Sequence, residues 1–176
     1  MNSSPSQITL RLAGPADAEK ITALINVAFR GAEQFFVDGD RIDLKTVLES
    51  LEIGEFLLIE DNGLLAGCVY LEQRGDRTYL GLLSVDPSRQ QTGTGSLLMS
   101  AAEEHCRARR DRFIDILIVN LREDLPGFYG KRGYVQTGTS PFPEDIETKV
   151  PCHFINMSKA LTLECGGPAP LSSVPR

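Results

Sequence analysis

The amino-acid sequence predicts an α/β (α+β) protein, with a mixed, mostly antiparallel central sheet of about six to seven strands flanked by helices. Three features of the chain support that reading. Two β-rich runs, EFLLIE and LLAGCVYLEQ, are joined by DNG, whose Asn-Gly accepts positive φ and favours a hairpin. A third run, TYLGLLSV, leaves through a glycine-bearing segment into a helix and then FIDILIV, a βαβ-like crossover that makes the sheet mixed. Apolar residues recur at spacings of three and four between these runs, as core-facing helices require.

In order, ITLRLA (residues 8–13) alternates apolar and polar residues as a half-buried strand does, and GPAD then supplies a break and a helix start. A helix over residues 17–29 carries Ile21, Leu24, Ile25 and Ala28 on one face; a shorter one over 44–51 repeats the spacing with Leu44, Val47, Leu48 and Leu51. The hairpin follows, and RGDR turns into TYLGLLSV to complete a three-strand antiparallel meander. The next helix turns Leu97, Leu98, Ala101, Ala102 and Cys106 to the core and leaves Glu103, Glu104, Arg107 and Arg109 to solvent. FIDILIV (113–119) is a strand. NLREDLPGFYGKRGYVQTG reads as loop, short helix and strand, with Gly133 as the helix stop. SPFPEDIETKVP is a proline-bounded loop and CHFINMSKAL a last strand. GGPAPLSSVPR has the composition of a disordered tail. The expected division is a disordered N-terminus at 1–6, one domain at 7–163 and a tail at 164–176.

A chain of 176 residues suits one domain with a sizeable core. Lys and Arg total 18 against 24 Asp and Glu, a net charge of −6, which argues against nucleic acid and anionic membrane as partners. MNSSPSQ lacks the basic and apolar regions of a signal peptide, and no apolar run approaches the roughly 18 residues of a membrane span, so a cytoplasmic protein is expected. Cys68, Cys106, Cys152 and Cys165 show no C-x-x-C spacing, and only His105 and His153 accompany them, so no metal site is expected. Cys68 and Cys106 read as small buried hydrophobes.

The segment SRQQTGTGSLL (88–98) stands where a strand gives way to a helix. A helix N-terminus leaves four N–H groups without intrahelical partners and carries partial positive charge, which suits an anion. Gly93 and Gly95 let backbone approach a phosphate, although permissive glycines in a plain connector would look the same. No Lys follows either glycine, which excludes a Walker A loop; Leu98 stands where the third glycine of a dinucleotide fingerprint belongs.

Taken with the preceding Val85-Asp86-Pro87, the segment resembles the acetyl-CoA loop of the GNAT N-acetyltransferase superfamily, [R/Q]-x-x-G-x-[G/A], with Gln90, Gly93 and Gly95 in its fixed places. Downstream, FYGKRGY (128–134) resembles that family's Phe-Tyr-x-x-x-Gly-Phe/Tyr segment, and the order of elements agrees from Ile8 to Leu161. The resemblance implies that the pyrophosphate of coenzyme A lies on the N–H groups of Gln91, Thr92, Gly93, Thr94, Gly95 and Ser96, with Gln90 supporting the loop. It implies that the pantetheine arm pairs with the main chain of Leu83, Ser84 and Val85, and that Asn120 contacts the cofactor. Tyr129 corresponds to the tyrosine that protonates the departing thiolate, and an N–H of Leu83 or Val85 would meet the oxyanion.

The implied reaction is acetyl transfer from acetyl-CoA to a primary amine by direct attack, on a small molecule, a peptide or a protein. Tyr79 occupies the strand position where some members carry a glutamate base, so the base is unassigned, with Glu72 and His153 as candidates. Asp86 before Pro87 reads as turn chemistry. AFRGAEQFFVDGD and SPFPEDIETKVP are implied to border the acceptor pocket; Phe35, Phe36 and Phe142 with Asp38, Asp40, Glu144, Asp145 and Glu147 would form an apolar site with an anionic rim. Homodimers are common in the family, which makes a homodimer a candidate assembly. The alternative is a non-catalytic acyl-CoA-binding or regulatory module of the same fold.

Overall fold

The computed structural model describes residues 7–162, so the disorder expected at 1–6 and 164–176 lies outside the described residues. The elements are β1 (Ile8–Leu12), α1 (Ala18–Glu33), α2 (Leu44–Ile53), β2 (Glu55–Asp61), β3 (Leu64–Arg74), β4 (Arg77–Val85), α3 (Thr94–Ala108), β5 (Phe113–Val119), α4 (Leu125–Gly130), β6 (Val135–Pro141) and β7 (His153–Ala160). All seven strands join one sheet in the order β1-β2-β3-β4-β5-β7-β6, antiparallel throughout except for the parallel β4/β5 pair. The mixed sheet and the βαβ crossover are therefore as expected. The last strand, however, inserts between β5 and β6.

The hairpin turn places Asn62 and Gly63 at φ 51° and 78°, the left-handed pair that matches the twist of the flanking strands. In β2, Leu57 and Ile59 face the cluster under α3, while Phe56 and Leu58 face the cluster under α1 and α2. That strand is buried on both faces, which is why its sequence runs apolar without alternation. Asp43 caps α2 by accepting from the Thr46 N–H at 2.7 Å. No helix among the described residues is long and apolar enough to cross a membrane.

The face of α3 departs from expectation. Leu98, Met99, Ala102 and Cys106 are buried, but Leu97 is largely exposed, and Glu103, expected in solvent, is 4% exposed. Its carboxylate accepts a hydrogen bond from Lys159 Nζ of β7 at 2.7 Å and has Arg107 and Arg132 at 3.6 Å. Three cations from three places compensate one buried charge, so desolvation does not expel it. Glu104 is exposed, as expected.

At the start of β4 and β5 lies a buried polar clamp. Asp111 is 0% exposed and accepts from Thr78 Oγ1 at 2.6 Å and from Gln73 Nε2 and an Arg109 guanidinium nitrogen at 2.8 Å. Arg109 also donates to Glu55 at 2.6 Å, which ties the beginning of β2 to the end of α3. Truncating one partner of such a pair strands the other in low dielectric. We expect Asp111→Ala to lose about 3–5 kcal/mol of unfolding free energy in urea titrations, with Asp111→Asn losing less; a loss under about 1 kcal/mol would show that the clamp is not structural.

Candidate active site

The segment leaving β4 is built by local turn chemistry. Asp86 accepts from the Ser88 N–H at 2.8 Å and Pro87 opens a short 3-10 turn, so Asp86 has the turn role expected of it. Arg89 forms an ion pair with Asp61 at the end of β2. The Thr92 hydroxyl donates to the Arg89 carbonyl at 2.6 Å and lies 2.9 Å from the Thr94 hydroxyl. Gln90 reaches back to the Val85 carbonyl with a long 3.4 Å contact from its amide nitrogen.

Gln91 at φ 64° and Gly93 at φ 86° then turn the chain into α3. Gly93 is the N-cap of α3 and has no side chain to cap it; the first i to i−4 bond runs from the Leu97 N–H to the Gly93 carbonyl at 2.9 Å. The N–H groups of Thr94, Gly95 and Ser96 therefore have no intrahelical acceptor and point out of the helix end. A Cβ on Gly95 would face β4, meeting Val85 Cγ2 at 3.6 Å. Backbone donors, a bare helix end and a glycine toward the strand together fit a pyrophosphate and its attached chain.

β4 opens beside this loop. Its parallel pairing with β5 covers only Arg77 to Tyr79, opposite Phe113 to Asp115, and then ends. On the other side, the register with β3 slips between the Tyr70/Gly81 and Cys68/Ser84 pairs, and Leu82 takes φ 52°. A left-handed non-glycine residue at a bulge is a local strain that re-aims the strand. Leu83, Ser84 and Val85 consequently present a main-chain edge toward β5 that no strand among the described residues pairs. That edge fits an extended chain adding as a strand.

Tyr129 on α4 is 7% exposed, with its ring 5.0 Å from Phe128 and 5.6 Å from Tyr134 in edge-to-face contacts. Burial pushes its phenol up to about 12, against the pull of Arg122. Such a hydroxyl stays protonated and can act as a donor. Asn120 closes the end of the β5/β7 pair: its Oδ1 accepts from the His153 N–H at 2.9 Å, and its own N–H donates to the His153 carbonyl at 3.0 Å. Its side-chain oxygen is thus engaged, and its amide NH2 is left for a cofactor contact.

Of the two candidate bases, Glu72 is bound to Arg74 at 2.7 Å, which holds its carboxyl below the usual range and makes it a poor base. His153 is exposed at the start of β7. Tyr79 is half-buried along β4 with the Arg74 guanidinium 4.7 Å above its ring. A Cβ at Gly81 would fall 2.6 Å from the Tyr79 hydroxyl, so the two positions fit each other.

The two segments expected to border an acceptor pocket do meet. Val37 bridges to Thr148, and the Lys149 N–H donates to the Phe36 carbonyl at 2.7 Å. Between them and the end of β5 is a cavity of about 120 Å³, lined by Phe29, Glu33, Val37, Val119, Phe142 and Ile146, among others. Phe36 is fully buried beneath it and Phe35 is exposed; Glu144, Asp145 and Glu147 do not line it. Asp40 pairs with Arg30 and Asp38 with Lys149, so much of the expected anionic rim is neutralised. Glu33 and Arg41 also line the cavity, and Arg122 acts on Glu33 electrostatically; the sequence alone does not single these three out. The available signal was a carboxylate one helical turn beyond Phe29, on the face that continues the buried stripe of α1.

Residues 30–161 match the family described as Acetyltransferase (GNAT) domain. No curated protein sequence matches at a significant level. Among solved structures, the ribosomal-protein-S18-alanine N-acetyltransferase from Escherichia coli is 15% identical with a TM-score of 0.72, over 92% of this chain and 99% of that one. The paiA N-acetyltransferase from Thermoplasma acidophilum, in complex with coenzyme A, is 14% identical with a TM-score of 0.72 over 88% and 99%. An N-acetyltransferase from Staphylococcus aureus Mu50 is 16% identical with a TM-score of 0.73 over 89% and 100%.

The Tyr79/Gly81 fit gives a direct test of the local packing. Gly81→Ala is expected to lower stability by about 1–3 kcal/mol through overpacking, and the same change in a Tyr79→Leu background to cost much less. Equal costs in both backgrounds, measured by urea unfolding, would show that the two side chains do not compete for space.

Proposed function

The chain belongs to the GNAT acetyltransferase family and is an acetyl-CoA-dependent N-acetyltransferase, and we propose that the α3 N-terminus and the unpaired edge of β4 are where its donor binds. The observation that carries this assignment is their adjacency: free helix N–H groups beside a strand edge that β5 abandons after three residues. In this reading Gln91 to Ser96 hold the pyrophosphate through backbone N–H groups, with Gln90 bracing the loop from Val85. Leu83 to Val85 pair with the pantetheine arm, and Asn120 contributes its amide NH2.

Bound acetyl-CoA supplies an activated acetyl thioester. An N–H of the bulged segment, at Leu83 or Val85, stabilises negative charge on the carbonyl oxygen; such donors contribute most where water is excluded. Tyr129, kept protonated by burial, donates to the leaving sulfur. The acceptor amine enters from the cavity between α1 and the 142–152 loop, and its nitrogen attacks directly. A homodimer is the assembly proposed by family habit alone.

Acetyl-CoA is expected to raise the melting temperature of the protein. Gly93→Val should abolish that shift, because a β-branched side chain resists φ 86° and disrupts the cradle; a shift that survived unchanged would place the donor elsewhere. Tyr129→Phe should keep the shift and lower kcat by about 10²-fold in a thiol-release assay. An unaltered kcat would remove Tyr129 from the reaction.

A further inference from the structure

Resting on that transferase reading, we propose that Glu33 is the residue that takes the proton from the acceptor's amine, in a cavity shaped for a primary amine on a short apolar arm. Glu33 ends α1 and is 8% exposed, yet no described residue donates a hydrogen bond to its carboxylate. The nearby cations are engaged elsewhere: Arg30 with Asp40, Lys149 with Asp38 and Arg122 with Asp124, while Arg41 lies over the Phe29 ring at 5.3 Å. The carboxylate is largely desolvated but lines the cavity, with Arg41 and Arg122 acting on it only through space, so a ligand ammonium in the cavity would give it a direct partner.

The surroundings locate this group beside the chemistry. Val119, at the end of β5 where the sheet has opened, lines the same cavity. Arg122 acts electrostatically on both Glu33 and Tyr129, and Arg41 on both Glu33 and Tyr79. Phe29, Val37, Phe142 and Ile146 give the cavity an apolar side, and Arg30, Gln34, Asp38, Asp40 and Arg41 a polar one. The volume of about 120 Å³ is below the roughly 150 Å³ of a cavity that holds a benzene ring, so an isobutyl-sized group fits and a phenyl ring marks the upper limit. Both a free amine and a peptide N-terminus can present that chemistry.

The proton accounting closes. The amine arrives as an ammonium and gives one proton to Glu33, which passes it to water. Its nitrogen forms the C–N bond to the acetyl carbon while the C–S bond breaks, leaving the electron pair on sulfur. Tyr129 protonates that sulfur and is restored, through water, by the nitrogen's second proton. One proton is released overall.

Burial raises the Glu33 pKa above the usual carboxyl range, opposed by Arg41 and Arg122. The charged groups facing it are Arg30 on its own helix, Asp38, Asp40 and Arg41 in the following loop, and Arg122 beyond β5. As a base it must be ionised, so activity should fall on the acid side of its pKa, at higher pH than for an ordinary carboxylate.

The test compares the wild type, Glu33→Gln and Glu33→Asp with acetyl-CoA and three probes: phenethylamine, isopentylamine and the dipeptide Phe-Ala. Thiol release is followed from about pH 4 to 11, a range that brackets an ordinary carboxyl and a primary alkylamine. Glu33→Gln should keep the stabilisation by acetyl-CoA and lose about 10²-fold or more in kcat/KM at neutral pH, a deficit that shrinks as pH approaches the amine's own pKa. Glu33→Asp should recover part of the loss. Amine binding to the coenzyme A-saturated protein, read by calorimetry, should weaken in Glu33→Gln. Ile146→Trp, which fills the cavity, should raise KM for the amine alone. Preference for phenethylamine or for Phe-Ala identifies the source of the amine.

A Glu33→Gln enzyme with wild-type kcat/KM and the same acid limb overturns the proposal, as does failure of every probe to react while acetyl-CoA still stabilises the protein. Absence of any stabilisation by acetyl-CoA overturns the transferase reading itself.

Discussion

The early separation of β4 from β5 is the constraint on which the rest of the molecule depends. A parallel pair normally continues along the strands, and here it stops after three residues. Two features bring this about from opposite ends. Asp111, Arg109 and Thr78 fasten the bases of the two strands together, and the bulge at Leu82 turns β4 away above them. The unpaired edge that results would be an aggregation hazard on a sheet margin. In the middle of a sheet it is sheltered, and it is available to a ligand chain.

That opening also organises what surrounds it. The loop after β4 delivers a helix N-terminus to one side of the gap, and α4 brings Tyr129 to its neighbourhood. On the side of α1, the cavity ending at Val119 reaches the same place. In the proposed reading donor and acceptor approach one gap by different routes, which is what direct transfer without a covalent enzyme intermediate would require.

Much of the fold was legible in the sequence because its signals are local. Asn62-Gly63 announces its hairpin, the apolar run of β2 its two-sided burial, and the glycines after Asp86 the helix entry. What escaped depends on partners distant in the chain. Glu103 reads as a surface charge until Lys159 arrives from β7, and the insertion of β7 between β5 and β6 has no short-range signature. The site divides similarly. Backbone donors follow from loop spacing, whereas the occupied oxygen of Asn120 and the unpaired carboxylate of Glu33 arise from packing among separate elements.

Because Arg89 is tied to Asp61 and Thr92 is bonded back to Arg89, the loop ahead of α3 is held in its turn before any donor arrives. If the loop holds the donor as proposed, little conformational entropy is left to lose when the anion docks. Donor association should accordingly be paced by diffusional encounter and by the alignment of the long pantetheine arm, with loop ordering contributing little to the barrier.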